Sequence, residues 1–258
     1  MIIFKHLISF MLIIYFMCSC VWAGDTGSSE LAQILTSTRD IEQPGDRIVA
    51  ISVHFLDRPY LANTLVGGPD EAERLVVALN GFDCFTLLDA IEALRRSTQP
   101  EDFPDQLRLV RYRDGVVSYR GRRHFFSDWA AFENSAITDL TSAVGQGHAV
   151  KVMKQLNRKS DGTLWLPGIA VTSREIVYIP TSAITNEMLR SLQPGDYVGI
   201  YSDLAGLDVS HTGLIVQADG SVRLRHASSH KGIERVVDDV LLDYLQGKPG
   251  LVVYRVKP

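Results

Sequence analysis

The sequence predicts an α+β fold in which N-terminal helices pack on a C-terminal antiparallel sheet, with a middle region between them. Three observations predict it. The first third carries apolar residues at helical spacing, the last third carries short apolar runs punctuated by Gly and Asp turns, and neither pattern repeats along the chain.

The chain opens with Lys5, an apolar run from Leu7 to Met17 and a small-residue exit ending at Ala23, the plan of a signal peptide cleaved after Ala23. The run is too short for a comfortable transmembrane helix. Cys20 offers a lipid anchor as an alternative, although Met17 and Cys18 make a poor lipidation box. Residues 1–23 are therefore read as a leader and 24–258 as one domain of roughly 235 residues, exported to a periplasm or beyond the cell. Lys5 leaves with the leader, so the formal net charge moves from −4 to −5. Nucleic acid and anionic membranes require a basic face, and this mild acidity speaks against both as partners. A hydrophobic content of 46% without low-complexity tracts excludes a disordered chain. A monomer is expected.

Ser28 and Ser29 are placed to cap a helix running to about Arg39, and Pro44 opens another with Ile48, Ile51, Phe55 and Leu56 at helical spacing. Asp70 is expected to cap a helix over Glu71 to Leu79. The next starts at Asp83 or Cys84 and runs through Leu87, Leu88, Ile91 and Leu94 to Arg95 and Arg96. A middle region follows from about Pro100 to Pro167, where Leu107 to Arg113 and Val116 to Tyr119, joined at Asp114-Gly115, read as a hairpin. Strands are expected at Arg174 to Ile179, Asp196 to Ser202, His211 to Ala218, Ser221 to Ala227 and Leu251 to Val256. A short helix is expected over Val237 to Leu245.

The chemistry gathers on Cys84, the one cysteine outside the leader. With Asp219-Gly220 as a two-residue loop, opposed residues of that hairpin sum to 439, so His211 faces Ser228 and His226 faces Gly213. The two imidazoles are then diagonal neighbours on one face, and a register slip of one would separate them. A thiol at a helix N-terminus beside an imidazolium is expected to be held as thiolate. His211 would be its base, with His226 accepting a hydrogen bond from the far ring nitrogen. The 127-residue separation of Cys84 and His211 is close to the papain-like spacing of about 130–150. Two other readings stay open: a buried, inert cysteine, and a Cys-His-His zinc site that lacks a sequence-local fourth ligand. His54, His148 and His230 have no partner that the sequence names.

These residues sit in a longer pattern. It includes Arg47-Ile48, Phe55-Leu56, Pro59-Tyr60, Glu73 to Val77, Phe82-Asp83-Cys84 with Thr86, Arg111 to Gly115, and Arg122-Arg123-His124-Phe125-Phe126-Ser127-Asp128-Trp129. It continues through Leu192 with Pro194-Gly195-Asp196, Leu207 to His211 and His226 to Ser229. The whole resembles the N-acetylmuramoyl-L-alanine amidase-like branch of the NlpC-type, papain-fold cell-wall hydrolases. The resemblance implies a papain-like domain with a substrate-recognition region inserted at about 100–167, which cuts the bond between the lactyl group of muramic acid and L-alanine in peptidoglycan fragments, and no cofactor or metal is expected.

By the same resemblance Cys84 is the nucleophile, His211 the base, His226 the orienting residue and Tyr60 an oxyanion donor alongside the Cys84 N–H. Some members favour 1,6-anhydro-muramic acid, and Arg122, His124, Asp128 and Trp129 have the chemistry of a sugar pocket. They equally suit a core with a local ion pair, and His124 with Asp128 suits half a metal site. Asp208 is placed either to bind a stem amine or to begin a turn, and the turn is the better reading. The chain departs from the family at Leu87-Leu88-Asp89, where Phe-Val-Glu is usual, and at Phe125, where Tyr is common. A stem-peptide endopeptidase of the same superfamily and a non-catalytic wall-binding module are the competing functions.

Overall fold

Apolar spacing places four helices ahead of the sheet, three of them near their expected positions. In the computed structural model, residues 24–131 and 135–257 are described; the leader expected over 1–23, with Cys20, lies outside them. Helix α1 spans Gly24–Thr38 and buries Leu31, Ile34 and Leu35; α2 spans Pro44–Val53 and buries Ile48 and Ile51. Helix α3, Cys84–Arg96, buries Leu87, Leu88, Ile91 and Leu94.

Helix α4, Phe103–Arg111, replaces the first arm of the expected hairpin. Its buried Phe103, Leu107, Val110 and Arg111 follow a helical period, and Pro104 suits a first turn. Asp114 and Gly115 do turn the chain, with φ of 52° and 65°, but a helix enters the turn instead of a strand. The helix expected over Glu71 to Leu79 is also absent, and the segment is extended. Side-chain bonds from elsewhere hold it open: Arg111 Nη1 donates to the Val76 carbonyl at 2.8 Å, and Glu73 accepts from the Tyr112 hydroxyl at 2.7 Å.

The eight strands are β1 (Ile137–Asp139), β2 (Val150–Leu156), β3 (Thr172–Pro180), β4 (Tyr197–Tyr201), β5 (Val209–Ala218), β6 (Ser221–Ala227), β7 (Val236–Val240) and β8 (Gly250–Val256). They form one antiparallel sheet in the order β2-β3-β8-β4-β5-β6-β7, with β1 also paired to β8. The expected strands in the last third are present within one or two residues. Val237 to Leu245 divides into β7 and a single turn of helix, Leu241–Leu245, so the predicted helix is corrected to a strand over its first half. The short helices Thr141–Val144 and Asn186–Ser191 complete the fold.

Alternation along the strands gives the sheet two apolar faces. Leu214, Val216, Val252 and Tyr254 pack with the residues of α1 to α4, while Ile215, Leu224, Leu251 and Val253 pack with Leu241 and Leu245. Helix α3 lies against β5 and β6, which brings its first turn to the strand that carries His211. Where α2 meets the β4 approach the backbones touch: a Cβ on Gly45 would stand 2.2 Å from the Pro194 carbonyl oxygen. Among the described residues no helix is long and apolar enough to cross a membrane.

Candidate active site

The site begins with the cap of α3. Asp83 Oδ1 accepts from the Phe85 and Thr86 N–H groups at 3.0 and 2.8 Å, and the Thr86 hydroxyl accepts from the Asp83 N–H at 2.9 Å. This reciprocal box satisfies the donors that a helix start leaves open and fixes where Cys84 enters the helix. The half-buried Cys84 is also tied to the sheet, because the Thr212 hydroxyl donates to its carbonyl at 2.8 Å. Thr212 follows His211 on β5, so candidate nucleophile and candidate base share one anchored junction.

The Asp219-Gly220 hairpin has the expected register. Ala218 pairs with Ser221 and Leu214 with Arg225, and φ of 52° and 70° at Asp219 and Gly220 suits a two-residue turn. His211 and His226 meet on one face, with His211 Nε2 2.8 Å from His226 Nδ1 and ring centroids 4.9 Å apart. A further residue, which the sequence reading missed, extends the chain of bonds: Asp239 Oδ2 lies 2.9 Å from His226 Nε2. His226 pairs with Val237 across the β6/β7 ladder, so Asp239 is its diagonal neighbour on the same face. Tyr244, from the last helical turn, covers both imidazoles with centroid distances of 5.8 and 4.9 Å.

Tyr60 reaches the same place by another route. Its N–H donates to the Glu234 carbonyl at 2.8 Å, and Leu61 N–H donates to the Phe82 carbonyl at 2.9 Å, which lays the Pro59-Tyr60 segment beside the approach to Cys84. Burial raises the Tyr60 phenol, and the nearby Cys84 and Asp83 charges raise it further. The Tyr244 phenol is pushed up to about 12 by burial, with Cys84 and Asp239 adding to the rise. Both phenols therefore sense the Cys84 sulfur.

The expected thiolate is reversed by the surroundings. Burial raises the Cys84 thiol and the Asp83 charge raises it again, against an opposing pull from Thr212 hydrogen bonds. His211 is lowered to about 3 by burial, then by His226 and Lys248. Burial also lowers His226, although Asp239 works in the other direction. Both shifts favour the uncharged forms, a thiol at Cys84 and a neutral imidazole at His211. Desolvation outweighs the helix terminus here because the charged forms have little water.

The middle cluster is placed differently. Arg122 forms a two-bond ion pair with Glu73, at 2.9 and 2.5 Å. His124 Nε2 is bonded to the Tyr119 carbonyl at 2.7 Å, and burial lowers its imidazole. Asp128 accepts from the His124 and Phe125 N–H groups at 3.0 and 3.1 Å and from Arg174 at 2.8 Å. Trp129, only 4% exposed, packs among Phe85, Phe126 and Tyr197. Asp208 follows the turn over 204–207 and leads into β5 instead of beginning a turn, accepting from the Ser127 and Val209 N–H groups at 2.7 Å each, while burial raises its carboxyl against those bonds. The polar groups of Arg122, His124, Asp128 and Asp208 are engaged by the fold itself, whereas the buried Trp129 Nε1 has no hydrogen-bond partner among the described residues. The adjoining cavity, about 560 Å³, is lined by Glu71, Glu73, Ser118, Tyr119 and Arg120.

Among the described residues no group of three or more His, Cys, Asp or Glu is placed to hold an ion, which leaves the zinc reading without a ligand set. The departure from the family at Asp89 is structural, since its buried carboxylate pairs with Arg111 Nε at 2.8 Å.

Solved structures of similar shape include an N-acetylmuramoyl-L-alanine amidase from Bacteroides uniformis, with 26% identity and a TM-score of 0.71 over 84% of this chain and all of that one. A Legionella pneumophila protein shares the fold at 22% identity, with a TM-score of 0.74 over 90% of this chain and 95% of its own. Among curated proteins nothing matches. The family described as N-acetylmuramoyl-L-alanine amidase-like matches residues 50–251, most of the chain, and the protein belongs to that family.

Proposed function

We propose that the protein is an exported cysteine amidase that hydrolyses the bond between the muramic-acid lactyl group and L-alanine in peptidoglycan fragments. One observation supports it above the rest: Cys84 opens a capped helix and is bonded through Thr212 to the strand whose His211 is held by His226. A cysteine at a helix start, tied to the strand of an antiparallel sheet that carries a histidine, is the arrangement of papain-like, NlpC-type hydrolases, and we assign the domain to that class. In the mechanism His211 takes the thiol proton as Cys84 sulfur attacks the lactyl carbonyl. Tyr60 and the Cys84 N–H stabilise the oxyanion, charge that exists only in the transition state. His211 then protonates the departing alanine amine, and water hydrolyses the thioester with His211 again as base.

A stem-peptide endopeptidase is the second reading, favoured by the placement of Asp128 and Trp129 inside the fold where a sugar pocket was expected. Mass spectrometry of digests of defined muropeptides, with ordinary and 1,6-anhydro ends, separates the two. Free sugar and an intact stem are expected, and a shortened stem would transfer the assignment to the endopeptidase. Cys84→Ala is expected to abolish turnover with the chain still folded; undiminished turnover would remove the cysteine mechanism.

A further inference from the structure

We propose that Asp239 sets the tautomers of both imidazoles, so that His211 keeps Nδ1 unprotonated as the base position. The argument follows donors and acceptors along one line of bonds. A carboxylate only accepts, so the 2.9 Å contact with Asp239 requires His226 to carry its proton on Nε2. A neutral His226 then has a bare Nδ1, and the 2.8 Å contact requires His211 to donate from its own Nε2. That leaves the other nitrogen of His211, Nδ1, with a lone pair. Asp239 touches no reacting atom and acts through two rings as a positioning residue.

The fold makes this assignment stiff. Asp239 lies on a strand, one place after the partner of Arg225 and two after the partner of His226. Tyr244 lies over both rings. The charged and titratable groups that act on the pair are Asp238 and Asp239 from β7, His230 from the preceding loop, and Lys248 beyond the last helical turn. Of these, Asp239 alone is seen bonded to an imidazole of the pair. What the lone pair does rests on the cysteine mechanism above; where it lies does not.

The test is ring-nitrogen NMR of the 15N-histidine-labelled protein at pH 7, with His211→Gln and His226→Gln spectra for assignment. Both rings are expected as Nε2–H tautomers. Asp239→Lys places a donor where the acceptor was, and is expected to reverse both tautomers and lower kcat by about 10³–10⁴-fold with little change in KM. Asp239→Asn, whose amide oxygen accepts the same bond, is expected to retain more kcat than Asp239→Ala. A His211 found as Nδ1–H in the unsubstituted protein overturns the proposal, as does Asp239→Ala matching or exceeding Asp239→Asn. Should the lysine variant fail to fold, the wild-type tautomers and the Asn-to-Ala order decide. The two readings fail separately: an active Cys84→Ala removes the cysteine mechanism and leaves the tautomers standing, whereas reversed tautomers beside an inactive Cys84→Ala remove Asp239 alone.

Discussion

Arg225 and His226 are neighbours on β6, and each is bonded to an aspartate of β7. Arg225 lies directly opposite Asp238 and binds it through two bonds, 2.7 and 2.6 Å, while its third nitrogen donates to Ser52 of α2 at 2.8 Å. His226 points to the other face and reaches Asp239 through one bond of 2.9 Å. A guanidinium keeps its charge throughout the range in which proteins fold, and its fork fixes geometry. An imidazole has a proton that can sit on either nitrogen. One strand thus separates two kinds of bond by alternation: a fixed fork that fastens the sheet to α2 on one side, and a line of imidazole bonds on the other.

The largest change in stability is expected from breaking the arginine side. Asp238→Ala leaves the Arg225 side chain, 6% exposed, without its counterion, a loss of about 3–5 kcal/mol. Urea denaturation measures it, and a loss below about 1 kcal/mol would mean that Ser52 and solvent suffice. The His211 and His226 tautomers should be unchanged in this variant, since Asp238 acts on the pair only through its charge and is bonded to Arg225.

A smaller effect sharpens the histidine side. The folded His211 imidazole, near 3, lies below its ordinary value of 6.5, so between those values the unfolded chain binds the extra proton. Its contribution is therefore full above about pH 6.5 and lost as pH falls toward 3. His211→Gln should flatten the acid limb of a stability-against-pH curve. An unchanged slope would mean that His211 is as readily protonated in the fold as outside it.

The smallest effect is expected from Thr212→Val, which removes the hydroxyl bond to the Cys84 carbonyl. About 1 kcal/mol of stability should be lost. If the tie also aligns the site, kcat should fall while KM holds, and an unaltered kcat would reduce Thr212 to packing.

The sequence made the β5/β6 hairpin legible because a two-residue Asp-Gly loop sets the parity of every residue in both arms. The shared face of His211 and His226 followed from that parity. Asp239 was hidden because Val237, Leu241 and Leu245 recur every four residues, which reads as helix, whereas the helix covers only the last turn. In the Arg122 to Trp129 cluster, residue chemistry alone could not separate a sugar pocket from a satisfied core. The ion-pair partners of Arg122 and Asp128, Glu73 and Arg174, are far away in sequence. The same distance concealed why Glu71 to Leu79 stays extended. The direction of the Cys84 shift was also beyond reach, since a capped helix end predicts a lowered thiol until the depth of burial is known.

The bond from Thr212 to the Cys84 carbonyl has a mechanical consequence. When a helix slides against a sheet, groups mounted on the two bodies drift apart. Here the attachment point lies on the Cys84 backbone and one residue from His211, so such sliding carries both together. Helix and strand behave at that point as two arms of one caliper, whose gap is set at the pivot and not by the rigidity of the frame.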